Sequence, residues 1–336
     1  EAIKDGASDI HIEPYEENLS IRFRVDGILK EKLNPSSRIA PLLNARIKVM
    51  SNLDIAERRI PQDGRMSLKL GEKWVDIRVS TLPSSFGERL VLRLLDKADA
   101  SLDLEDLGMT SEMTKDYLQQ LKSTSGIILV TGPTGSGKTT TLYSGLNFLN
   151  DQTRNILTVE DPIEYALEGV GQTQVNNKVG LSFSKGLRAI LRQDPDVVMV
   201  GEIRDKETAE TAIQASLTGH LVLSTIHTND SVGAITRLID MGVEPYLLAS
   251  TLKMVIAQRL VRKLTNKNEF SGRVGIFEMI KIDSDIRNFI NETIDEDKIR
   301  KVAFKKYNSL LNDGEEKVKK GITSELEIKR VLKQVD

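Results

Sequence analysis

The sequence predicts an α/β protein in two parts. A small mixed α+β amino-terminal domain precedes a larger domain with a parallel sheet between helices and a helical carboxy-terminal part. Three observations lead there. The 336 residues exceed one ordinary domain of about 100–200 residues. Apolar and charged residues alternate in the early part of the chain. After Gly126 the apolar residues instead form short continuous runs, separated by stretches of helix length.

In the first part Ile21, Phe23 and Val25 alternate with Arg22, Arg24 and Asp26. Met66, Leu68 and Leu70 follow the same period, as do Val75, Ile77 and Val79. Period two describes half-buried strands with one solvated face. Asp26-Gly27 has the composition of a hairpin turn. Between these strands Ile39, Leu42, Leu43, Ile47 and Met50 fall at helical spacing. The chain changes character from Ala98 to Thr110, with acidic residues and Gly108. A first domain is therefore expected over residues 1–98 and a linker over 99–112.

The next runs are Ile127–Val130, Ile156–Val159, Val197–Val200 and Leu221–Leu223. Continuous strands are buried on both faces, which predicts a largely parallel sheet covered by helices over 113–265. Leu248, Leu252, Val255, Ile256, Arg259 and Leu260 read as one amphipathic helix. Residues 266–336 are expected to be helical and strongly charged. No repeat or low-complexity tract interrupts this organisation.

Hydrophobic residues make up 39% of the chain, enough for a true core. The 47 basic and 49 acidic side chains nearly cancel, so bulk charge does not hold the protein to nucleic acid or membrane. Aromatics at 4% offer little stacking surface for a nucleic-acid translocase. The absence of cysteine excludes disulfides, thiol catalysis and thiolate metal sites. Three histidines (His11, His220 and His227) are a poor basis for an all-histidine metal site. No apolar run approaches the ~18–20 residues that span a bilayer, so a soluble protein is expected. Glu1 to Asp9 lack the basic and apolar regions of a signal peptide, and a chain beginning without Met suggests upstream sequence.

Residues Gly132, Pro133, Thr134, Gly135, Ser136, Gly137, Lys138 and Thr139 fit the phosphate-loop pattern G-x-x-x-x-G-K-[ST] without mismatch. An apolar strand precedes the motif, and Thr140 and its successors can open a helix. Glycines without a β-carbon let the backbone curl and turn its N–H groups inward onto phosphate oxygens. The helix that follows adds its positive end. Lys138 is placed to reach the β and γ phosphates, and Thr139 offers a hydroxyl to magnesium. The loop does not distinguish adenine from guanine.

Open parallel sheets bind ligands at the carboxyl ends of their strands. Glu160, Asp161 and Glu164 follow the second run; Glu202, Arg204 and Asp205 follow the third; His227 follows the fourth. Hydrolysing a nucleotide needs a metal and a positioned water. Glu202, leaving its strand directly, suits the metal, although aspartate is the usual acid there. Glu160 or Glu164 suits the water. His227 suits sensing the γ phosphate or bonding a catalytic carboxylate. Asp161-Pro162 also has the composition of a plain turn.

These segments resemble the secretion-superfamily ATPases, in particular the type II secretion ATPases and the similar type IV pilus assembly ATPases. The likeness rests on Gly132–Thr139, on an aspartate box from Thr158 to Glu164, on an atypical Walker B region from Leu191 to Asp205, and on a histidine box from Thr218 to Thr228. Ala7–Glu13, Arg22–Gly27 and Pro61–Arg65 extend it through the amino-terminal half.

The resemblance implies a PAS-like amino-terminal domain followed by a RecA-like P-loop ATPase domain. It implies ATP or ADP and Mg2+ as cofactors. It also implies a hexameric ring, peripheral at the cytoplasmic face of the inner membrane, with membrane platform proteins as partners and no nucleic acid. Glu164 matches the family's catalytic glutamate, Glu202 its Walker B glutamate and His227 the histidine near the γ phosphate. Arg78 and Arg93 match arginines that reach the nucleotide from the amino-terminal domain, and Arg188 and Arg192 match arginines of the ATPase domain. Without the resemblance, alternation alone would make Arg78 and Arg93 part of a solvated strand face.

The chain departs from the family after Gln258-Arg-Leu-Val-Arg262, where relatives carry two C-x-x-C pairs binding zinc. Lys263–Arg273 has no cysteine, so no zinc is expected. The family's platform-docking domain, which precedes the PAS-like part, is expected upstream of this chain. The rival readings are pilus assembly, pilus retraction and, from another class, a nucleic-acid translocase or a nucleotide-binding scaffold without turnover.

Overall fold

The computed structural model describes residues 1–71, 73–95, 103–266, 269–292 and 295–332. The chain divides into two compact units, Glu1–Ala100 and Ser101–Asp336. The first holds strands β1 (Ala7–Pro14), β2 (Leu19–Val25), β3 (Ile28–Leu33), β4 (Gln62–Leu70), β5 (Lys73–Ser84) and β6 (Gly87–Leu95), with helix α1 (Ala40–Met50) between β3 and β4. The strands form one antiparallel sheet in the order β3-β2-β1-β6-β5-β4. Asp26 and Gly27 both take positive φ, 50° and 82°, which matches the right-handed twist of the β2–β3 hairpin. Ile12, Ile77, Val79, Leu90 and Leu92 bury the apolar face under α1.

Helix α1 forms where its spacing predicts, but it buries a different face. Ala40, Asn44, Ile47 and Lys48 are buried, whereas Ile39, Leu42 and Met50 are exposed. Polar groups go inward because β6 supplies partners. Asn44 Nδ2 donates to Glu88 O at 2.8 Å, and Lys48 pairs with the Glu88 carboxylate while donating to Glu57 O at 2.7 Å. The paired ion and satisfied amide hold these positions against the pull of the apolar residues.

The second unit is built on a seven-stranded sheet with β7 (Gly126–Thr131), β8 (Ile156–Glu160), β9 (Gly171–Gln174), β10 (Val197–Val200), β11 (Leu221–Ile226), β12 (Leu252–Asn266) and β13 (Glu269–Lys281). Its order is β13-β12-β7-β11-β10-β8-β9; β7 to β12 run parallel and β13 returns antiparallel. Helices α2 (Ser111–Leu121) and α3 (Lys138–Leu149) contribute to the core on one face. Helices α4 (Phe183–Ile190), α5 (Lys206–Leu217), α6 (Ser231–Asp240), α7 (Pro245–Thr251), α8 (Ser284–Glu292) and α9 (Glu296–Ala303) cover the other. Alternate strand residues serve the two cores: Ile127 and Leu129 face one, Ile128 and Val130 the other. Continuous apolar runs are what a sheet buried on both faces needs. Helices α10 (Leu310–Lys319) and α11 (Glu325–Leu332) pack on the outer part of the β12–β13 hairpin. Among the described residues no helix is long and apolar enough to cross a membrane.

Three expectations need correction. The helix expected through Leu248–Leu260 ends at Thr251, and Leu252 begins a strand that pairs with β7. Here Leu252 and Val255 enter one core while Met254 and Ile256 enter the other, so apolar contacts on both sides favour a strand over an amphipathic helix. The remainder is likewise not all helical, because Glu269–Lys281 is a strand of the same sheet. Of the segment expected as a linker, residues 99–102 lie outside the described residues. The rest packs into the second unit: Leu104 and Leu107 are buried in its core, and a β-carbon on Gly108 (φ 93°) would meet Val274 Cγ2 at 2.4 Å.

Candidate active site at the strand tips

The parallel strands β7, β11, β10 and β8 lie side by side in matched register, so their carboxyl ends share one edge. β7 ends in the glycine loop, β11 leads to His227, β10 to Glu202 and β8 to Glu160 and Glu164. Polar side chains clamp these tips. Ser224 Oγ donates to Val200 O at 2.8 Å and Thr225 Oγ1 to Gly201 O at 2.7 Å, binding β11 to the residues just before Glu202. Thr131 Oγ1 donates to Ile226 O at 2.8 Å and accepts from Thr228 N at 2.9 Å, which locks the loop beyond His227 to β7.

The glycine loop is forced to its shape by what lies behind it. Gly132, Gly135 and Gly137 have φ of 146°, 78° and 87°, all strained for any other residue. A β-carbon on Gly132 would meet Gln258 O at 2.5 Å, and one on Gly137 would meet Gln258 Nε2 at 2.7 Å. On Gly135 it would meet open space, on the exposed side where Pro133 and Thr134 also lie. Helix α3 starts at Lys138 with no side-chain cap, leaving its first N–H groups to an external acceptor. Ser136 Oγ is buried without a hydrogen-bond partner among the described residues. Thr139 and Thr140 lie half-buried in the helix's first turn. Curled glycines, an uncapped helix start and an unmatched buried hydroxyl fit a polyphosphate.

Lys138 Nζ donates to Gly132 O at 2.8 Å and to Pro133 O at 3.0 Å. Burial lowers its pKa to about 8, Arg259 adds to the lowering, and Glu202 opposes it. Glu202 is the nearby acid: Oε1 pairs with Arg204 at 2.5 Å, and Oε2 lies 3.4 Å from His227 Nε2. Oε2 is buried and accepts no hydrogen bond among the described residues, which suits it to a cation or its water shell. The His227 pKa is lowered by burial and then by the Lys138 charge, with Glu202 and the Gly132 backbone acting in the opposite sense. Lys138, Glu202, His227 and Gly132 therefore meet at one place. Half-buried Glu164 lies on the loop after β8, one residue before Tyr165, whose ring packs edge-on against Tyr143 of α3.

Arg188 and Arg192 are on the exposed side of the α4 region; Arg188 pairs with Glu207 at 2.8 Å and Arg192 donates to Arg188 O at 2.9 Å. Arg78 and Arg93 belong to the first unit, where Arg65, Arg78 and Arg93 are successive cross-strand neighbours on β4, β5 and β6. Exposed Arg93 is held to Asp9 at 3.0 Å, and Arg24 approaches the same carboxylate at 3.9 Å. The polar face of that sheet carries arginines around buried acids of β1, Asp9 and also Glu13, which pairs with Arg22 and Arg89.

Sequence reasoning missed the support behind the loop. Gln258 and Arg259 are 2% and 4% exposed. Gln258 Oε1 accepts from Thr141 at 2.7 Å, and Arg259 Nη2 donates to Asn229 O at 2.8 Å. Two adjacent buried polar residues within an apolar run would have signalled a role, but the helix reading hid them. Glu278 was missed likewise: 3% exposed, it accepts from Ser231 N at 2.9 Å at the start of α6.

The description type II/IV secretion system protein matches residues 1–332. The chain is 54% identical to a type II secretion system protein E of Pseudomonas aeruginosa, covering 99% of this chain and 74% of that protein. A type II secretion system ATPase E of Vibrio cholerae is 53% identical with the same coverage. Among solved structures, the pilus retraction motor PilT with bound ADP is 30% identical, with a TM-score of 0.71 over 98% of this chain and 94% of that one. The Legionella pneumophila ATPase DotB is 25% identical, with a TM-score of 0.78 over 98% and 92%.

Proposed function

The chain belongs to the type II/IV secretion system protein family, and we propose that it is the ATP-hydrolysing motor of a type II secretion system. It works as a homo-hexameric ring on the cytoplasmic face of the inner membrane, against platform proteins, and drives assembly of a pseudopilus. The observation that carries this reading is the meeting of Lys138, Glu202 and His227 around Gly132.

The backbone N–H groups of the glycine loop hold the phosphates, and Lys138 places its charge on the β and γ groups. Thr139 and Glu202 are the residues that would hold magnesium, which supplies neutralisation of the phosphate charge when bound. Glu164 orients the attacking water and draws its proton as the γ phosphate leaves. His227, beside Glu202, responds to the γ phosphate. Arg78, Arg93, Arg188 and Arg192 add positive charge as negative charge builds on the phosphates, which couples hydrolysis to movement between parts of the ring.

The test is phosphate release by the purified protein. Glu164→Gln is expected to bind ADP normally and to lose turnover by about 100-fold or more. Full turnover in that variant would sink the assignment. Pilus assembly is the second reading, favoured by the similarity to a pilus motor. Rescue of secretion-defective rather than pilus-defective cells separates the two.

A further inference from the structure

Beneath the Glu164 loop lies a buried polar cluster that binds no phosphate and holds no metal in the account above. Glu160, 3% exposed, ends β8 with its carboxylate turned inward. It accepts from Tyr143 of α3, from Thr158 Oγ1 at 2.6 Å and from Gln172 Nε2 of β9 at 3.1 Å. Tyr143 is fully buried, and its phenol oxygen accepts a hydrogen bond from Gln172 Nε2 at 3.3 Å. Gln172 reaches further along the same loop, donating to Tyr165 O at 3.2 Å and accepting from Leu167 N at 2.8 Å. The Tyr165 ring closes the cluster edge-on to Tyr143, with centroids 4.8 Å apart.

We propose that Tyr143, oriented by Glu160 and Gln172, is a positioning residue that sets Glu164 relative to the phosphate loop. Tyr143 and Lys138 share helix α3, so the tie from Tyr143 through Gln172 and the Tyr165 ring to the residues just after Glu164 gauges the water-orienting residue against the helix that begins at the phosphates. The phenol must donate to Glu160 and accept from Gln172 at once, which only its neutral form can do. Burial, with the Glu160 charge beside it, pushes its pKa well up, so it keeps its proton. A buried carboxylate with three donors is a rigid anchor, since losing a donor leaves charge unsatisfied. This inference rests on the reading of Glu164 as the residue that orients water.

The experiment compares Tyr143→Phe, Glu164→Gln and the double variant in the purified protein, following ADP affinity, phosphate release and amide hydrogen exchange. Tyr143→Phe keeps the ring and is expected to fold. Its turnover should fall about 10- to 100-fold with ADP affinity unchanged, the scale set by small misplacements of reacting groups. Exchange should quicken at Glu164–Leu167 and stay as in the parent within α3 and β8. In the Glu164→Gln background the same change should cost less than about twofold, because the residue it positions is already disabled. Parent-like turnover in Tyr143→Phe, or an equal loss in both backgrounds, overturns the inference. Full turnover in Glu164→Gln alone overturns the underlying reading instead. Gln172→Met should quicken the same amides, and it stands in if Tyr143→Phe fails to fold; parent-like exchange in that variant also counts against the proposal.

Discussion

A buried lysine and a half-buried one live under opposite conditions in this molecule. Lys48, in the first unit, has a side chain 1% exposed and is neutralised by Glu88, itself 6% exposed. Lys138, in the second, donates only to two backbone carbonyls, and among the described residues no carboxylate oxygen lies within ion-pair distance. The first arrangement spends its charge on structure; the second leaves positive charge for an anion to complete. Both are withdrawn from water, Lys48 fully and Lys138 in part, so the partner decides which kind of site each one makes.

Several measurements could break or sharpen that contrast. The largest effect belongs to the structural pair. Glu88→Ala leaves Lys48 buried without its counter-ion and should cost about 3–5 kcal/mol of folding stability. Trp74, the one tryptophan, lies in the same unit on β5 and reports its urea transition. A loss below about 1 kcal/mol would mean that water or Glu57 already carries the lysine.

Next comes the catalytic edge. Glu202→Gln should keep ADP binding and lose about 100-fold in phosphate release, since only the charge near the expected metal position is removed. A variant with parent-like turnover would strip Glu202 of that role.

A smaller effect is pH dependence. A phosphate stabilises the charged form of Lys138, so binding takes up a proton wherever the free lysine has lost one. Its pKa near about 8 places that region above pH 8, and ADP affinity should weaken there by at most about tenfold per unit. The stability of the free protein moves the other way over the same range, because the unfolded chain, with an ordinary lysine, binds more protons. Calorimetry in two buffers of different ionisation heat reads the uptake directly. The smallest effect is expected for Glu207→Gln, which breaks an exposed ion pair with Arg188 and should change stability by less than about 1 kcal/mol.

The phosphate loop was legible because its chemistry leaves little choice: a backbone that curls onto oxygens needs glycine, and its charge must sit at one offset. The strand-tip acids were legible because each follows a run that only a buried parallel strand explains. Gln258 and Arg259 were not, since they act through the backs of Gly132 and Gly137, and a strand carrying Leu252, Val255, Ile256 and Leu260 also satisfies a helical period. The inner face of α1 was misjudged for a related reason. Lys48 and Asn44 are polar on paper and become core residues only beside Glu88, a neighbour forty residues or more along the chain.

The central claim is that the charge of Lys138 is held for phosphate. It is tested most directly by Lys138→Ala, followed by ADP binding, magnesium-dependent phosphate release and thermal unfolding in one preparation. The account predicts loss of both binding and turnover with an unfolding temperature close to the parent's. A variant that still hydrolyses ATP at the parent rate would contradict it.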